Sequence, residues 1–88
     1  MALNWDKLRF FHAVAEAGSF THAAKTLNLS QSAISRQIST LEMSLENTLF
    51  HRHARGLKLT EHGERLFQTT NDIFHKLAMV EAQITEDK

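Results

Sequence analysis

The chain has 88 residues, of which 42% are hydrophobic, so it can form one small domain with a modest core. It contains no cysteine, which excludes disulfide bonds and zinc–thiolate sites and suits a reducing compartment. No apolar run reaches membrane length and no signal-peptide pattern opens the chain, so we expect a cytoplasmic protein without a membrane partner. The net charge of zero conceals an asymmetry, because residues 1–59 carry seven Lys/Arg and four Asp/Glu, whereas residues 60–88 carry three and six. An anionic partner is therefore expected at the first part of the chain.

The first predicted helix begins near Asn4 or Trp5. Its apolar residues recur at helical spacing up to Gly18, which supplies a stop. Such an amphipathic helix is typical of a scaffold element. His12 is expected at a surface or an interface rather than as a metal ligand.

A second, short helix is predicted directly afterwards. Ser19 can cap its first turn, and Asn28 can end it in the left-handed conformation. The adjacent small residues Ala23 and Ala24 would allow another helix to cross closely. Leu29 is expected to pack inward in the tight connection to the next helix.

The stretch from Ser30 to Leu45 predicts a third helix, with Ser30 as its N-cap and Asn47 as the left-handed residue after it. Its polar face carries short hydroxyl side chains around one arginine, where an ordinary solvated face would carry Glu and Lys. Short side chains permit a close approach, and a guanidinium suits guanine edges and phosphates. This face favours a helix lying in a DNA groove, although a serine-rich surface helix without that role remains an alternative. The face consists of Ser32, Ser35, Arg36 and Ser39.

Two helices joined by a three-residue turn make a helix-turn-helix arrangement. After it, residues 49–59 alternate in polarity around a turn at residues 54–56, which predicts a short two-stranded hairpin, or wing. Arg55 lies at its tip. A protruding arginine can enter a minor groove, where the potential is most negative. The alternative is an exposed arginine with no such role.

Thr60 is predicted to cap a last helix that runs to about Ile84. Apolar residues alternate at spacings of four and three along it, which is a heptad seam. About 24 helical residues span roughly 36 Å, too long for the rest of the chain to cover, so a partner chain is expected there. The alternative is a helix packed wholly on its own domain. The predicted dimerisation residues are Leu66, Phe67, Ile73, Phe74, Leu77, Val80 and Ile84.

Seven short motifs follow one another along almost the whole chain. They are Leu8-x-x-Phe11, Ala15-Glu16-x-Gly18-Ser19-Phe20, Ala23-Ala24-x-x-Leu27, Ser30-Gln31-x-Ala33-Ile34-Ser35-Arg36-Gln37-Ile38, Leu41-Glu42-x-x-Leu45, Leu49-Phe50-x-Arg52 and Leu59-Thr60-x-x-Gly63. In this order they resemble the N-terminal part of LysR-type transcriptional regulators. The opening segment and the wing also look like a branch of that family found in symbiotic and pathogenic alphaproteobacteria.

The resemblance implies a mainly α-helical fold, a winged helix-turn-helix over residues 1–60, with the helix-turn-helix at about 20–45 and the wing at about 49–59. Residues 61–88 would form a linker helix that pairs antiparallel with its twin in a homodimer. The implied function is sequence-specific binding of double-stranded DNA at an inverted-repeat promoter or operator site, without enzyme activity, metal or cofactor. A small-molecule inducer would act only through a C-terminal effector-binding domain, which this chain is expected to lack. By position, the implied major-groove contacts are Gln31, Ser32, Ser35 and Arg36, the minor-groove contact is Arg55, and the candidate phosphate contacts are Thr21, Ser30, Arg52 and His53.

The chain departs from the family pattern at two positions. Ser32 stands where the family often has proline, and Glu46 stands where it usually has glycine. The second departure predicts that the exit of the third helix shifts by one residue, onto Asn47.

Two other classes of function, a protein-interaction module and a metal site, are alternatives to DNA binding. A protein-interaction module could use the winged-helix shape and the coiled-coil seam, and the near-neutral charge is compatible with it. A metal site could use His51, His53 and His62, but no cysteine or carboxylate accompanies them at ligand spacing. An enzyme is not expected, because we find no nucleophile–base set and no glycine-rich phosphate loop.

Overall fold

The computed structural model describes residues 3–87 and has the expected mainly helical architecture, with a hairpin wing and a long last helix. The described part measures 47 × 26 × 21 Å, because the last helix projects from the remainder. The elements are α1 (Trp5–Ala17), α2 (Phe20–Leu27), α3 (Gln31–Leu45), β1 (Phe50–His53), β2 (Gly56–Leu59) and α4 (Glu61–Glu86). The winged helix-turn-helix predicted from the sequence is confirmed.

All four helices begin at a side chain that accepts a hydrogen bond from a backbone N–H of the first turn. In each case the donor is the amide three residues further on, which would otherwise have no helical partner. The accepting residues are Asn4, Ser19, Ser30 and Thr60. The predicted starts of all four helices are therefore confirmed.

The helix ends match the predictions at α2 but not at α3. Asn28 ends α2 in the left-handed region, with a φ of 56°. The prediction that Asn47 would take this conformation after α3 is wrong, because Glu46 takes it, also with a φ of 56°. Asn47 instead donates its side-chain amide to the Leu45 carbonyl at 3.2 Å. The earlier exit lets the buried residues 49–50 enter the core.

One hydrophobic core lies where the first three helices meet the start of the wing. The Phe11 and Phe50 rings are 5.3 Å apart, so the wing is packed directly on α1. The prediction that Leu29 packs inward is wrong: it is 43% exposed. Its amide bonds to the Ala24 carbonyl at 3.0 Å, so the backbone holds this turn without the side chain. The core consists of Phe11, Val14, Ala23, Ile34, Ile38, Leu41, Leu49 and Phe50.

The start of α4 crosses the base of the wing at very short range. The Thr60 amide donates to the Leu49 carbonyl at 3.0 Å, and the Thr60 hydroxyl donates to the Thr48 carbonyl at 2.8 Å. A Cβ at Gly63 would collide with the Leu49 carbonyl oxygen and would lie 2.9 Å from Cδ2 of Leu59. Only glycine fits this crossing without a backbone shift.

The first half of α4 packs against α1 through His12, which confirms that this histidine is interfacial. Its ring lies 5.5 Å from that of Phe67 and 4.9 Å from that of Phe74. Nδ1 of His12 lies 3.0 Å from the hydroxyl of Thr70, a fully buried residue. The same hydroxyl lies 3.0 Å from the Phe67 carbonyl oxygen, so Thr70 links His12 of α1 to the backbone of α4.

The predicted heptad seam of α4 is divided into two parts by burial. The residues nearer the wing are partly buried against their own domain, namely Leu66, Phe67, Ile73 and Phe74. The residues farther along are exposed by about half or more, namely Leu77 (49%), Val80 (51%) and Ile84 (62%). The alternative of a helix packed wholly on its own domain does not fit these exposures.

Candidate nucleic-acid interface

An open hollow of about 470 Å³ lies between the helix-turn-helix and the wing. Its walls are residues 19–21 at the start of α2, Gln31 and Ser35 of α3, and residues 52–57 of the wing. Two arginines line it and none of its lining residues is acidic. Such a surface is suited to an anionic ligand.

Six of the nine residues predicted to contact DNA line this hollow. They are Thr21, Gln31, Ser35, Arg52, His53 and Arg55. The other three, Ser30, Ser32 and Arg36, are exposed on the same end of the helix-turn-helix but outside the hollow. The structure thus brings six of the nine predicted residues together around one hollow.

The first turn of α3 presents polar side chains to solvent. The side-chain oxygen Oε1 of Gln31 accepts a hydrogen bond from the Thr21 hydroxyl at 3.3 Å, which joins the starts of α2 and α3. The hydroxyls of Ser30 and Ser32 lie 3.4 Å apart. Arg36 is exposed one turn further along. Of the positions predicted to meet a major groove, Gln31, Ser32 and Arg36 are therefore exposed, whereas Ser35 is partly buried.

Arg52, a predicted phosphate contact, lies across the face of α3. Its Nη1 donates to the Ser35 hydroxyl at 3.4 Å and its Nη2 to the Ser39 hydroxyl at 3.3 Å. Nη2 is also 3.9 Å from Oε1 of Glu42. The guanidinium carbon stands 5.0 Å from the centre of the Phe20 ring, a cation–π distance. One wing residue thus touches both helices of the helix-turn-helix.

Glu42, which the sequence reasoning did not single out, holds the start of the wing. Its Oε2 accepts the amides of Leu49 at 2.6 Å and Phe50 at 3.2 Å, and its side chain is 13% exposed. A signal was available, because Glu42 lies one turn after Ile38, at the edge of the apolar stripe of α3. A carboxylate placed that close to a core needs hydrogen-bond partners.

The tip of the wing exposes Arg55 and His53. The strands pair antiparallel with a two-residue turn, and the positive φ of 136° falls on Gly56. The neighbouring Leu57 amide donates to the Gly18 carbonyl at 3.2 Å, and a Cβ at Gly56 would lie 3.1 Å from the same oxygen. The wing is therefore fastened to the end of α1, with Arg55 projecting beyond the attachment.

The metal-site alternative is not supported by the arrangement of side chains in the part of the chain that the structure describes. The rings of His51 and His53 are 6.4 Å apart, but no three His, Cys, Asp or Glu side chains among residues 3–87 come together as a possible metal site. Across the same residues, none of the helices has the length and apolarity needed to cross a membrane.

Similar proteins were found both by sequence and by structure. The transcriptional activator AmpR of Citrobacter freundii is 47% identical over 73 residues, which are 83% of this chain and 25% of AmpR. The regulator YofA of Bacillus subtilis is 43% identical over 74 residues, or 84% of this chain and 26% of YofA. The chain thus spans about a quarter of the length of these curated relatives.

Two of the similar solved structures are complexes with DNA and match nearly the whole chain. The CbnR_DBD–DNA complex has a TM-score of 0.79 at 35% identity, covering 97% of both chains. The BenM_DBD/catB site 1 DNA complex has a TM-score of 0.83 at 32% identity, covering 96% of this chain and 94% of the other. The family described as "Bacterial regulatory helix-turn-helix protein, lysR family" matches residues 5–64. The chain therefore belongs to the lysR family of bacterial regulatory helix-turn-helix proteins.

Proposed function

We propose that this chain binds double-stranded DNA in a sequence-specific manner as part of a transcriptional regulator. In this proposal α3 enters a major groove and the wing enters the adjacent minor groove. The observation that carries it is the hollow between them, which has two arginines and no acidic residue among its lining residues. The DNA complexes of CbnR_DBD and BenM_DBD, which share this fold, support the same ligand.

The proposed contacts divide into base reading and backbone positioning. Arg36 is the proposed reader of a base edge, because an exposed guanidinium on the second turn of α3 can donate two parallel bonds to guanine. Gln31 and Ser32 would meet the same groove. Arg55, at the wing tip, is the proposed minor-groove contact. Thr21, Ser30 and His53 are proposed phosphate contacts.

We further propose that two copies pair through α4. The exposed distal seam of Leu77, Val80 and Ile84 supports this pairing, since exposed apolar side chains at heptad spacing are typical of a helix–helix interface. A symmetric dimer holds two recognition helices at one spacing, and an inverted repeat is then the expected target. We propose a cytoplasmic location, because bacterial DNA lies there. Any small-molecule inducer would act through a separate domain.

The proposal is tested by selecting binding sites from a library of random duplex DNA with the 88-residue chain. We expect an enriched inverted repeat, and binding that weakens steeply as salt rises. Arg36→Ala should cost about 1–3 kcal/mol on the selected duplex and much less on random duplex, because only the selected site offers the base edge. Arg65→Ala, which removes an exposed arginine from α4, is the matched control.

Three outcomes would contradict the proposal in different ways. If no sequence is enriched and the chain is not retained on DNA even at low salt, the protein-interaction reading replaces it. If Arg36→Ala weakens selected and random duplex equally, Arg36 is a phosphate contact. If Arg55→Ala costs the same on sites flanked by A·T and by G·C pairs, the minor-groove role of Arg55 is wrong.

A further inference from the structure

We propose that Arg52 and Glu42 act as a positioning pair that fixes the angle between the wing and α3. In this view Arg52 acts on DNA only through the placement of Arg55 and makes no phosphate contact of its own. The inference deepens the proposed function and rests on it. It replaces the phosphate role that the family resemblance implied for Arg52.

The two oxygens of Glu42 contact different groups of the wing. Oε2 accepts both amides at the start of β1, those of Leu49 and Phe50, at 2.6 and 3.2 Å. Oε1 faces Nη2 of Arg52 at 3.9 Å. The Glu42 carboxylate of α3 therefore contacts the wing at two places, the start of β1 at residues 49–50 and Arg52, two residues further along that strand.

The guanidinium group of Arg52 contacts both helices of the helix-turn-helix. Its two terminal nitrogens donate to hydroxyls one turn apart on α3, those of Ser35 and Ser39. Its plane lies over Phe20 of α2. A planar fork with several donors can make these bonds together, whereas a lysine ammonium is a single point charge. The bonds therefore depend on the shape of the guanidinium and not only on its charge.

The charges of the pair lie partly in solvent on the Arg52 side and mostly out of it on the Glu42 side, which is 13% exposed. The side chain of Arg52 is 46% exposed, and ion pairs near solvent stabilise a fold by little. What the pair supplies is orientation, because it fixes the first strand at two points along α3. Arg55 follows Arg52 by three residues and is the second residue of the two-residue turn that ends the strand, so its position depends on how that strand is held.

The experiment uses the 88-residue chain and the duplex selected by the wild type. Arg52→Lys keeps the positive charge but loses the planar guanidinium with its several donors. Glu42→Gln keeps the size of the side chain and leaves every positive charge in place. Lys58→Gln is the matched control, since Lys58 is an exposed wing residue on β2. Each substitution is made alone and together with Arg55→Ala, and circular dichroism with thermal unfolding checks that each variant is folded.

We expect Arg52→Lys and Glu42→Gln each to weaken binding by roughly tenfold, within the range of couplings between residues of one network. In the Arg55→Ala background each should change affinity by less than about twofold, because the contact they position is already gone. Retention of full affinity by Arg52→Lys would overturn the inference. A further variant, Arg52→Gln, is measured in the Arg55→Ala background. If it reduces the magnitude of the slope of log K against log salt by about 0.9, one phosphate contact has been lost, and the inference is overturned.

A second measurement is independent of DNA. Hydrogen exchange at the Leu49 and Phe50 amides of the free chain should accelerate by about tenfold or more in Glu42→Met, whose side chain has a similar length but no oxygen to accept these bonds, since local opening then exposes the amides. Unchanged exchange overturns the inference even if the wild type binds DNA well. A wild type that selects no duplex overturns the proposed function and the inference together, whereas a wild type that selects a duplex and tolerates Arg52→Lys overturns the inference alone.

Discussion

The two halves of α4 carry one heptad pattern but lie in different surroundings. Between Glu61 and Phe74 the helix is fastened to its own domain, with Gly63 and Thr70 buried. From residue 75 to residue 86 every residue is exposed. The same apolar spacing therefore serves an internal contact in one half and is left open in the other. Periodicity alone indicates that a face is to be covered, but not by which chain.

The strongest test of this difference is Leu77→Asp in the distal half. A buried leucine is worth about 1.5–3 kcal/mol and a dimer contains two copies, so dimerisation should weaken by roughly 3–6 kcal/mol. The helix-turn-helix and wing should remain folded, because Leu77 is 49% exposed and is not part of their core. Light scattering at tens of micromolar measures the loss of the dimer, with His75→Asp, an exposed neighbour outside the seam, as the control. A wild type that is already monomeric at that concentration would contradict the dimer.

In the proximal half the largest effect is expected from Gly63→Ala. The added Cβ collides with the Leu49 carbonyl, which is backbone and cannot rotate away, so the free energy of unfolding should fall by about 3 kcal/mol or more. Urea unfolding followed by circular dichroism measures it. Glu64→Ala, at an exposed neighbouring position, should stay within about 0.5 kcal/mol of the wild type. Equal stability of the two variants would mean that α4 is not held at this crossing.

Thr70→Val tests the polar contact of the proximal half. It leaves Nδ1 of His12 without its partner in a buried setting, which should cost about 1–3 kcal/mol of unfolding free energy. Thr69→Val is the control, because Thr69 is exposed and bonds only within its own helix. The difference between the two variants isolates the contribution of the bond to α1. No difference would show that Phe67 and Phe74 suffice to hold the two helices.

The smallest effect is expected from Met79→Glu. Met79 is 52% exposed and comes two residues after Leu77, which places it on another side of the helix. We expect changes below about 0.5 kcal/mol in unfolding and no change in oligomeric state. Loss of the dimer in this variant would mean that the exposed half of α4 pairs through a broader surface than the seam.

The helix starts were predictable because each depends on two groups only three residues apart. Ser19 and Ser30 each accept a bond from the amide three residues further on, as Asn4 and Thr60 also do. The exit of α3 was not predictable in the same way. Asn47 tolerates the left-handed conformation better than Glu46, yet Glu46 takes it, and residues 49 and 50, which follow, are buried in the core.

The candidate site was predictable in its location and not in its internal bonds. The exposed polar turn at Gln31 and the wing tip at Arg55 followed from helical spacing and turn chemistry. The Arg52 bonds to Ser35 and Ser39 join residues 17 and 13 positions apart, and they depend on how the wing folds back over α3. No local pattern encodes such a contact, so the positioning role of Arg52 required the structure.

The short crossing at Gly63 has a mechanical consequence. Two hydrogen bonds from Thr60 and the packing of Gly63 on the Leu49 carbonyl join the helix to the strand without any slack between them. A torque applied to the far end of α4, roughly 39 Å away at 1.5 Å per residue, is therefore delivered to the root of the wing rather than absorbed in a hinge. Because the wing is also bound to Gly18 of α1 and to Glu42 of α3, such a torque would act on these bonds before it could move the wing tip.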